Sequence, residues 1–527
     1  MPNRDESKSH GARWAFGVVV LAAIIFRPFV FSTASAGPTT QATLLGPLPT
    51  TQAIENMAIS ENCHALAMSV LDAGGKRHVL TLNGKTIATG DLFPQIALCP
   101  DGKRLAYYER DGNRSFVTVD GLRDSRFDRI ADGGTSALLF SPDSKHIAFV
   151  AGTSAGWSVV LDGKPGAAFA TQPSRLAFSP DSQHLAFVDS TGGSQAVVLD
   201  GKGGQAYAEI KELCFGRTGG HVAYAARVDP GHWVAVVDDK ATPPGSAYLD
   251  VTDLCLNTDG TRSAFRAREQ DTPQQWRVII DGRAGDPFTV IAGGPIFSDA
   301  GNHVAYTAYN ITDPLGGLSN HRISAGESTL VVDSVSTKFL DMVRRVVYSP
   351  DGKRLALENE GAFSTNNRPY QWSYSAIIDG KVCNTLDALI GITFSPDNRR
   401  LVYFGIHAGR AEEGWSIFHD TSYVRGRFHL SIMPPIFSDG SMHMAYAGSL
   451  ANGDWEMMLD DSVVVGYEPI RAQADRGPLG FVNPSLWSRD APASFHLSQV
   501  PYHFDPDDTL NFFGAKGGNI YWVQIKP

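Results

Sequence analysis

The stretch FSPDSKHIAFVAG, Phe140 to Gly152, returns 38 residues later as FSPDSQHLAFVDS, Phe178 to Ser190. A chain that repeats itself at such a period can fold only into a repeat architecture, so the repeat sets the frame for everything else. With Phe140 as the reference position, the pattern is Phe/Leu-Ser-Pro-Asp-x-x-x-apolar-Ala-Phe/Tyr. It begins again at Leu98, Phe215, Leu256, Phe297, Tyr348, Phe394 and Phe437. A decayed copy starts at Ile59, and a last copy, one residue shorter, starts at Phe504. About eleven copies result, 37 to 51 residues apart except for a final interval of 67. A second motif follows the first: WSVVLDGK at Trp157, QAVVLDGK at Gln195, WRVIIDGR at Trp276 and YSAIIDGK at Tyr374, with weaker forms elsewhere.

Each motif has a physical meaning. In Ser-Pro-Asp-Gly/Ser, proline presets φ and the short polar side chains bond local amides, so the segment is a turn. It separates two apolar stretches, as RLAF (175–178) and HLAFV (184–188) show. VVLDGK is a β-branched strand ending in Asp-Gly, a strong hairpin signal. A fourth short segment follows, such as AAFAT (167–171) or AYAEI (206–210). Four strands in ~40 residues match one propeller blade. The VVL and VII runs are apolar at consecutive positions, as expected of strands covered on both faces. No segment after residue 37 keeps a helical period over ten or more residues. The fold class is therefore all-β, a β-propeller of about eleven four-stranded repeats.

The paired FSPDGKRLAY-like and strand–Asp-Gly signals resemble the TolB-type, WD40-like propeller repeats of bacterial proteins, over about residues 55 to 527. Proteins of that type carry a small α/β domain before the propeller, and this sequence leaves no room for one. The resemblance implies a fold, and propellers host binding, scaffolding and many enzyme activities. Eleven units exceed the four to eight blades of a usual ring. The expectation is two propellers, 55–290 and 291–527, with one large or open ring as the alternative.

Net charge is −10 and the pI about 5.8, with charges of both signs spread along the chain. This argues against a nucleic-acid partner, which would want a basic face. Arg4, Lys8 and Arg13 precede an apolar run, Trp14 to Phe26, and Ala34-Ser35-Ala36 has the small-x-small pattern of an export cleavage site. Residues 1–36 are read as a signal peptide, or as a membrane anchor if uncleaved. Residues 37–54 are read as a tether, part of which can pair as a closing strand. The propeller is expected outside the cytoplasm, in a periplasm or at a cell surface.

Several features look catalytic. GTSAG (152–156) has the nucleophile-elbow pattern, but an elbow needs a strand before it and a helix after it, and here a strand follows. His146, His184, His221, His303 and His443 recur at one repeat position, which Arg104, Arg262, Arg354 and Arg400 hold in other units. Such exchange suits a turn or backbone contact rather than a metal ligand. The acidic DPDD (505–508) is the repeat's own turn. Trp157, Trp233, Trp276, Trp415 and Trp455 open third strands and are read as packing residues. Cys63, Cys99, Cys214, Cys255 and Cys383 are odd in number and widely spaced, so they are read as small buried thiols. Neither a cofactor nor a metal is expected.

Function on a regular scaffold sits where the regularity breaks. The connection between second and third strands grows to 310–327 in unit seven, 360–371 in unit eight and 407–414 in unit nine. The long interval 469–503 is the other break. Tyr309, His321, Arg322, Tyr370, Trp372, His407 and Arg410 supply polar and aromatic groups suited to a binding surface. The expectation is an exported, non-enzymatic protein that binds an envelope protein, peptide or glycan through these loops. The rival is a propeller lyase or hydrolase with its site at the channel mouth.

Overall fold

The computed structural model describes residues 38–527 apart from 49–53, 73, 112–113, 125–126, 128, 132–137, 244, 270–273, 311–327, 340–341, 366–367, 408–413, 421, 430–431, 453, 465–467 and 470–501. Its regular elements are antiparallel strands and one short 3-10 turn at Thr191–Gly193. The expected signal segment lies outside the described residues. So does most of the 469–503 interval.

The repeat folds as the turn chemistry dictates. In the third blade, Leu139–Phe140, Ile147–Thr153, Gly156–Leu161 and Lys164–Pro165 form a meander. The Ser-Pro-Asp turn joins the first strand to the second, and the Asp-Gly turn joins the third to the fourth. Asp162 and Gly163 both take the left-handed backbone, φ 48° and 73°, which hairpins of this kind require. The same Asp geometry recurs at Asp120, Asp200, Asp238, Asp281, Asp333, Asp379, Asp420 and Asp460.

Among the described residues there are ten sheets, and one of them is seven-stranded and holds two blades, which makes eleven blades. In the fused sheet, Lys381–Phe394 runs as one strand from the outer edge of blade 8 to the inner edge of blade 9. The first nine residues of this strand contain neither Gly nor Pro to break it. Leu386, fully buried, pairs with Tyr374 on one side and His407 on the other.

The core is a series of seams rather than one centre. Each blade buries an apolar face on the next, from blades 1 and 2 (Leu80, Phe93, Tyr107) through to blades 10 and 11 (Trp455, Met457, Phe504, Phe512). An eleventh cluster closes the circle: Leu66 and Met68 of blade 1 pack on Phe513 and Ile520 of blade 11. Thr39–Pro47 supplies the outermost strand of blade 11, paired antiparallel with Asn519–Lys526. The segment expected as a tether is thus largely the ring's clasp.

The expected division into two propellers is corrected by this packing. Residues 38–527 form one compact unit. At the expected boundary the core is continuous: Val278 and Phe288 pack with Ile291, Tyr306 and Val331. A blade with no neighbour would leave such a face in water. The chain satisfies both ends by joining blade 11 to blade 1, which is the single-ring alternative.

Candidate functional site

One face of the ring carries the Ser-Pro-Asp and Asp-Gly turns. The recurrent histidines sit there, each bound to the Asp of its own blade's second turn. Nδ1 of His146, His184, His221, His303 and His443 lies 2.5–2.7 Å from Oδ2 of Asp162, Asp200, Asp238, Asp333 and Asp460. The other oxygen, Oδ1, accepts the backbone N–H of the residue after the histidine; Ile147 and Leu185 donate to it at 2.9 Å. Arg104, Arg262 and Arg354 place Nε at 2.8–2.9 Å from the matching Asp. The planar side chain then lies over the reference aromatic of the following blade: Arg104 over Phe140, Arg262 over Phe297, Arg354 over Phe394, Arg400 over Phe437, and His303 stacked on Tyr348. Imidazole and guanidinium exchange here because both are flat and both can meet Asp. This position couples turns and seams.

The other catalytic-looking signals are also used by the scaffold. Ser154 is exposed in a tight hairpin between two strands, with no helix behind it. Within DPDD, Asp505 Oδ2 meets His64 Nε2 at 3.0 Å and Asp507 meets Lys526 Nζ at 3.2 Å. Among the described residues no group of three or more His, Cys, Asp or Glu is placed to hold a metal. Cys63, Cys214 and Cys255 are held well above the usual thiol range, chiefly by burial. Cys214 and Cys255 each donate to a carbonyl of the next blade, Leu254 O at 3.5 Å and Pro295 O at 3.2 Å. Trp157, Trp233 and Trp276 bridge to Phe169, Tyr248 and Phe288 in the segments that follow their fourth strands and are covered by Arg129, Lys211 and Arg266.

The opposite face carries the second-to-third connections, where the expected binding residues fall. His321, Arg322 and Arg410 lie outside the described residues. Tyr309 ends the second strand of blade 7, pairing with Val290 and Ser328. His407 ends that of blade 9, half-buried, its ring 5.2 Å from Phe418 and 4.2 Å from Tyr423. In blade 8 the expected loop is instead a hairpin. Leu355–Thr365 and Arg368–Ile378 are eleven residues each. Second strands elsewhere have five to eight. Tyr370 lies in its third strand, and Trp372 pairs with Ala362. Trp372 is not the third-strand tryptophan of its blade. Tyr374 holds that place, five residues before Asp379, with Arg344 over its ring. First-strand pairing stops at Met342 with Glu360, and fourth-strand pairing stops at Leu386 with Tyr374. Among the described residues, 361–365 and 368–373 pair only with one another, a two-stranded ribbon beyond the blade.

Sequence reasoning passed over a polar belt on the first strands, which line the ring's axis. Arg175, Glu212 and Asp253, in blades 4, 5 and 6, sit at register breaks with φ of 53°, 57° and 52°. Glu212 Oε2 accepts the Leu254 N–H of the next blade at 3.1 Å, as Gln95 Oε1 accepts that of Leu138 at 3.2 Å. Asp253 pairs with Arg266, and Lys211 with Asp250 at 2.6 Å. Burial, with Asp253 beside it, raises the Glu212 carboxyl above its usual range. The signal was available in the charged residues that interrupt otherwise apolar first strands.

No family model matches the chain, and no curated protein matches it. Solved structures do. A eukaryotic initiation factor is 13% identical over 70% of this chain and 87% of that one, with a TM-score of 0.37. TolB from Acinetobacter baumannii is 17% identical over 45% of this chain and 64% of that one, at 0.22. The β-propeller domain of the Trilobed protease from Pyrococcus furiosus, with an open velcro topology, is 10% identical over 69% and 99%, at 0.26. These likenesses concern fold alone. The chain's own repeats and strand order make it a β-propeller.

Proposed function

We propose that this is an exported, non-enzymatic binding or scaffold protein that holds a protein, peptide or glycan on the face formed by the second-to-third connections of blades 7–9. The observation that carries the reading is the ribbon of blade 8. It extends past its blade with both edges unpaired among the described residues. A two-stranded ribbon is only marginally stable alone, and a free strand edge is a template for an added strand. The neighbouring blades bring Tyr309 and His407 to the same face. Export fits the position of the clasp: cleavage after Ala36 leaves the strand Thr39–Pro47 whole.

Mature protein used as bait in envelope extract is expected to retain a partner. Replacing Tyr370, His321 and Arg410 together with Ala should weaken that binding more than tenfold, or by more than ~1.4 kcal/mol, with thermal stability nearly unchanged. Parent-like binding by the triple variant would remove this face from consideration. Turnover of an extract component in place of retention would favour the channel-mouth enzyme. N-terminal sequencing of the exported protein should begin at Gly37, and a cytoplasmic protein starting at residue 1 or 2 would refute export.

A further inference from the structure

The seam that closes the ring differs chemically from the others. In several blades the residue before the reference position turns its side chain toward the following blade. Ala97, Cys214, Ile296, Val347 and Ile436 fill seams from that place. In blade 11 the place belongs to His503. Tyr502 and Phe504 face blade 10, so alternation along the strand turns His503 toward blade 1. Asp505, the residue after Phe504, stands where most blades have the turn serine, such as Ser141, Ser179, Ser349, Ser395 and Ser438. It pairs across the seam with His64 of blade 1, whose ring meets Trp522 at 5.2 Å. The clasp Thr39–Pro47 lies on the outer edge of the same blade, mostly exposed, with Leu45 half-buried against the closing cluster.

We propose that this seam is an acid-released latch with His503 as its proton acceptor. The neutral imidazole belongs to the closed ring, and the imidazolium to a ring in which blade 11 parts from blade 1. The groups facing His503 are Asp505 on its own turn, Asp439 from blade 10, and His64 and Glu61 from blade 1. The three carboxylates favour its charged form and His64 opposes it, but burial outweighs them and depresses the His503 pKa below the usual imidazole value. The sign follows from linkage. A histidine depressed in the folded state contributes stability that is present above its unfolded pKa of about 6.5 and lost as pH falls below that value and through the lower folded one.

Hydrogen exchange on the full chain tests this, with rates corrected for intrinsic pH dependence. Between pH 7.5 and 5.5, protection of 39–47 and 519–526 should fall roughly threefold or more. Protection at the seam of blades 5 and 6, in 222–229 and 263–268, should hold. His503→Leu or His503→Ala, which restore residue types of the repeat, should abolish the acid effect. His64→Gln should weaken the seam at both pH values and keep the acid effect. Protection at the closing seam that is independent of pH would overturn the proposal. So would an acid effect that survives both His503 variants, or one that disappears only with His64→Gln.

Discussion

Asp200 shows how much one side chain does in this fold. Its backbone is left-handed at φ 48°, Oδ1 accepts the Leu185 N–H at 2.9 Å and Oδ2 meets His184. Blade 1 does the same with Asn83, at φ 46°, whose Oδ1 takes the Leu66 N–H at 2.8 Å. Asp200→Asn should therefore change stability by no more than ~0.5 kcal/mol. Asp200→Ala removes the acceptor and places a Cβ-only residue in the left-handed region, so a loss of about 1–3 kcal/mol is expected in urea unfolding. Asn keeps both the acceptor and the tolerance for the left-handed region while Ala keeps neither, so equal losses would refute the account. His184→Arg should be close to neutral, because Arg104, Arg262 and Arg354 hold the same place.

At the scale of the element, the first strands carry the next prediction. Glu212 reaches across a seam to cap the Leu254 amide, and burial raises its carboxyl above its usual range. A carboxyl whose folded pKa is raised costs stability above its unfolded pKa, about 4.3, and nothing well below it, where both states are protonated. Glu212→Gln keeps the acceptor, as Gln95 does naturally. It should raise the melting temperature at pH 7, with the gain fading below about pH 4. A gain independent of pH, or none at pH 7, would show that Glu212 is not held against its charge. The turn carboxylates run the other way. Asp101, Asp181, Asp351 and Asp397 are held below their usual range, chiefly by a side-chain donor of the same turn, Cys99 for Asp101 and a serine for the others. Their contribution is present at neutral pH and lost on acidification below about 3.9.

For the whole molecule, closure is the governing fact. Residues 55–290 and 291–527 produced as separate chains should each expose the face that Phe288, Ile291 and Tyr306 now bury. Neither is expected to give a sharp, monomeric thermal transition by circular dichroism and size-exclusion chromatography. Two well-behaved monomers would restore the two-propeller division. A chain beginning at residue 49 lacks the clasp and its eight paired positions. It should melt earlier, with hydrogen-exchange protection lost first in 519–526. Unchanged protection there would mean that the clasp is dispensable.

The repeat unit, its two turns, the number of units, the turn position of the recurrent His and Arg and the packing role of the recurrent Trp were all legible in the sequence. Each rests on chemistry within about a dozen residues: proline and glycine dihedrals, short polar caps and runs of β-branched side chains. The ribbon of blade 8 was misread as a loop because Ser, Asn and Pro between Gly361 and Gln371 carry loop composition, while strand pairing depends on what lies across the hairpin. The polar belt went unseen because a charged residue in a strand shows its purpose only when the next blade's amide is in view. Ring count was beyond any local signal. It depends on Thr39–Pro47 meeting Asn519–Lys526, a contact spanning almost the whole described chain, and on every blade needing a neighbour for each apolar face. Only the tertiary structure brings those surfaces together.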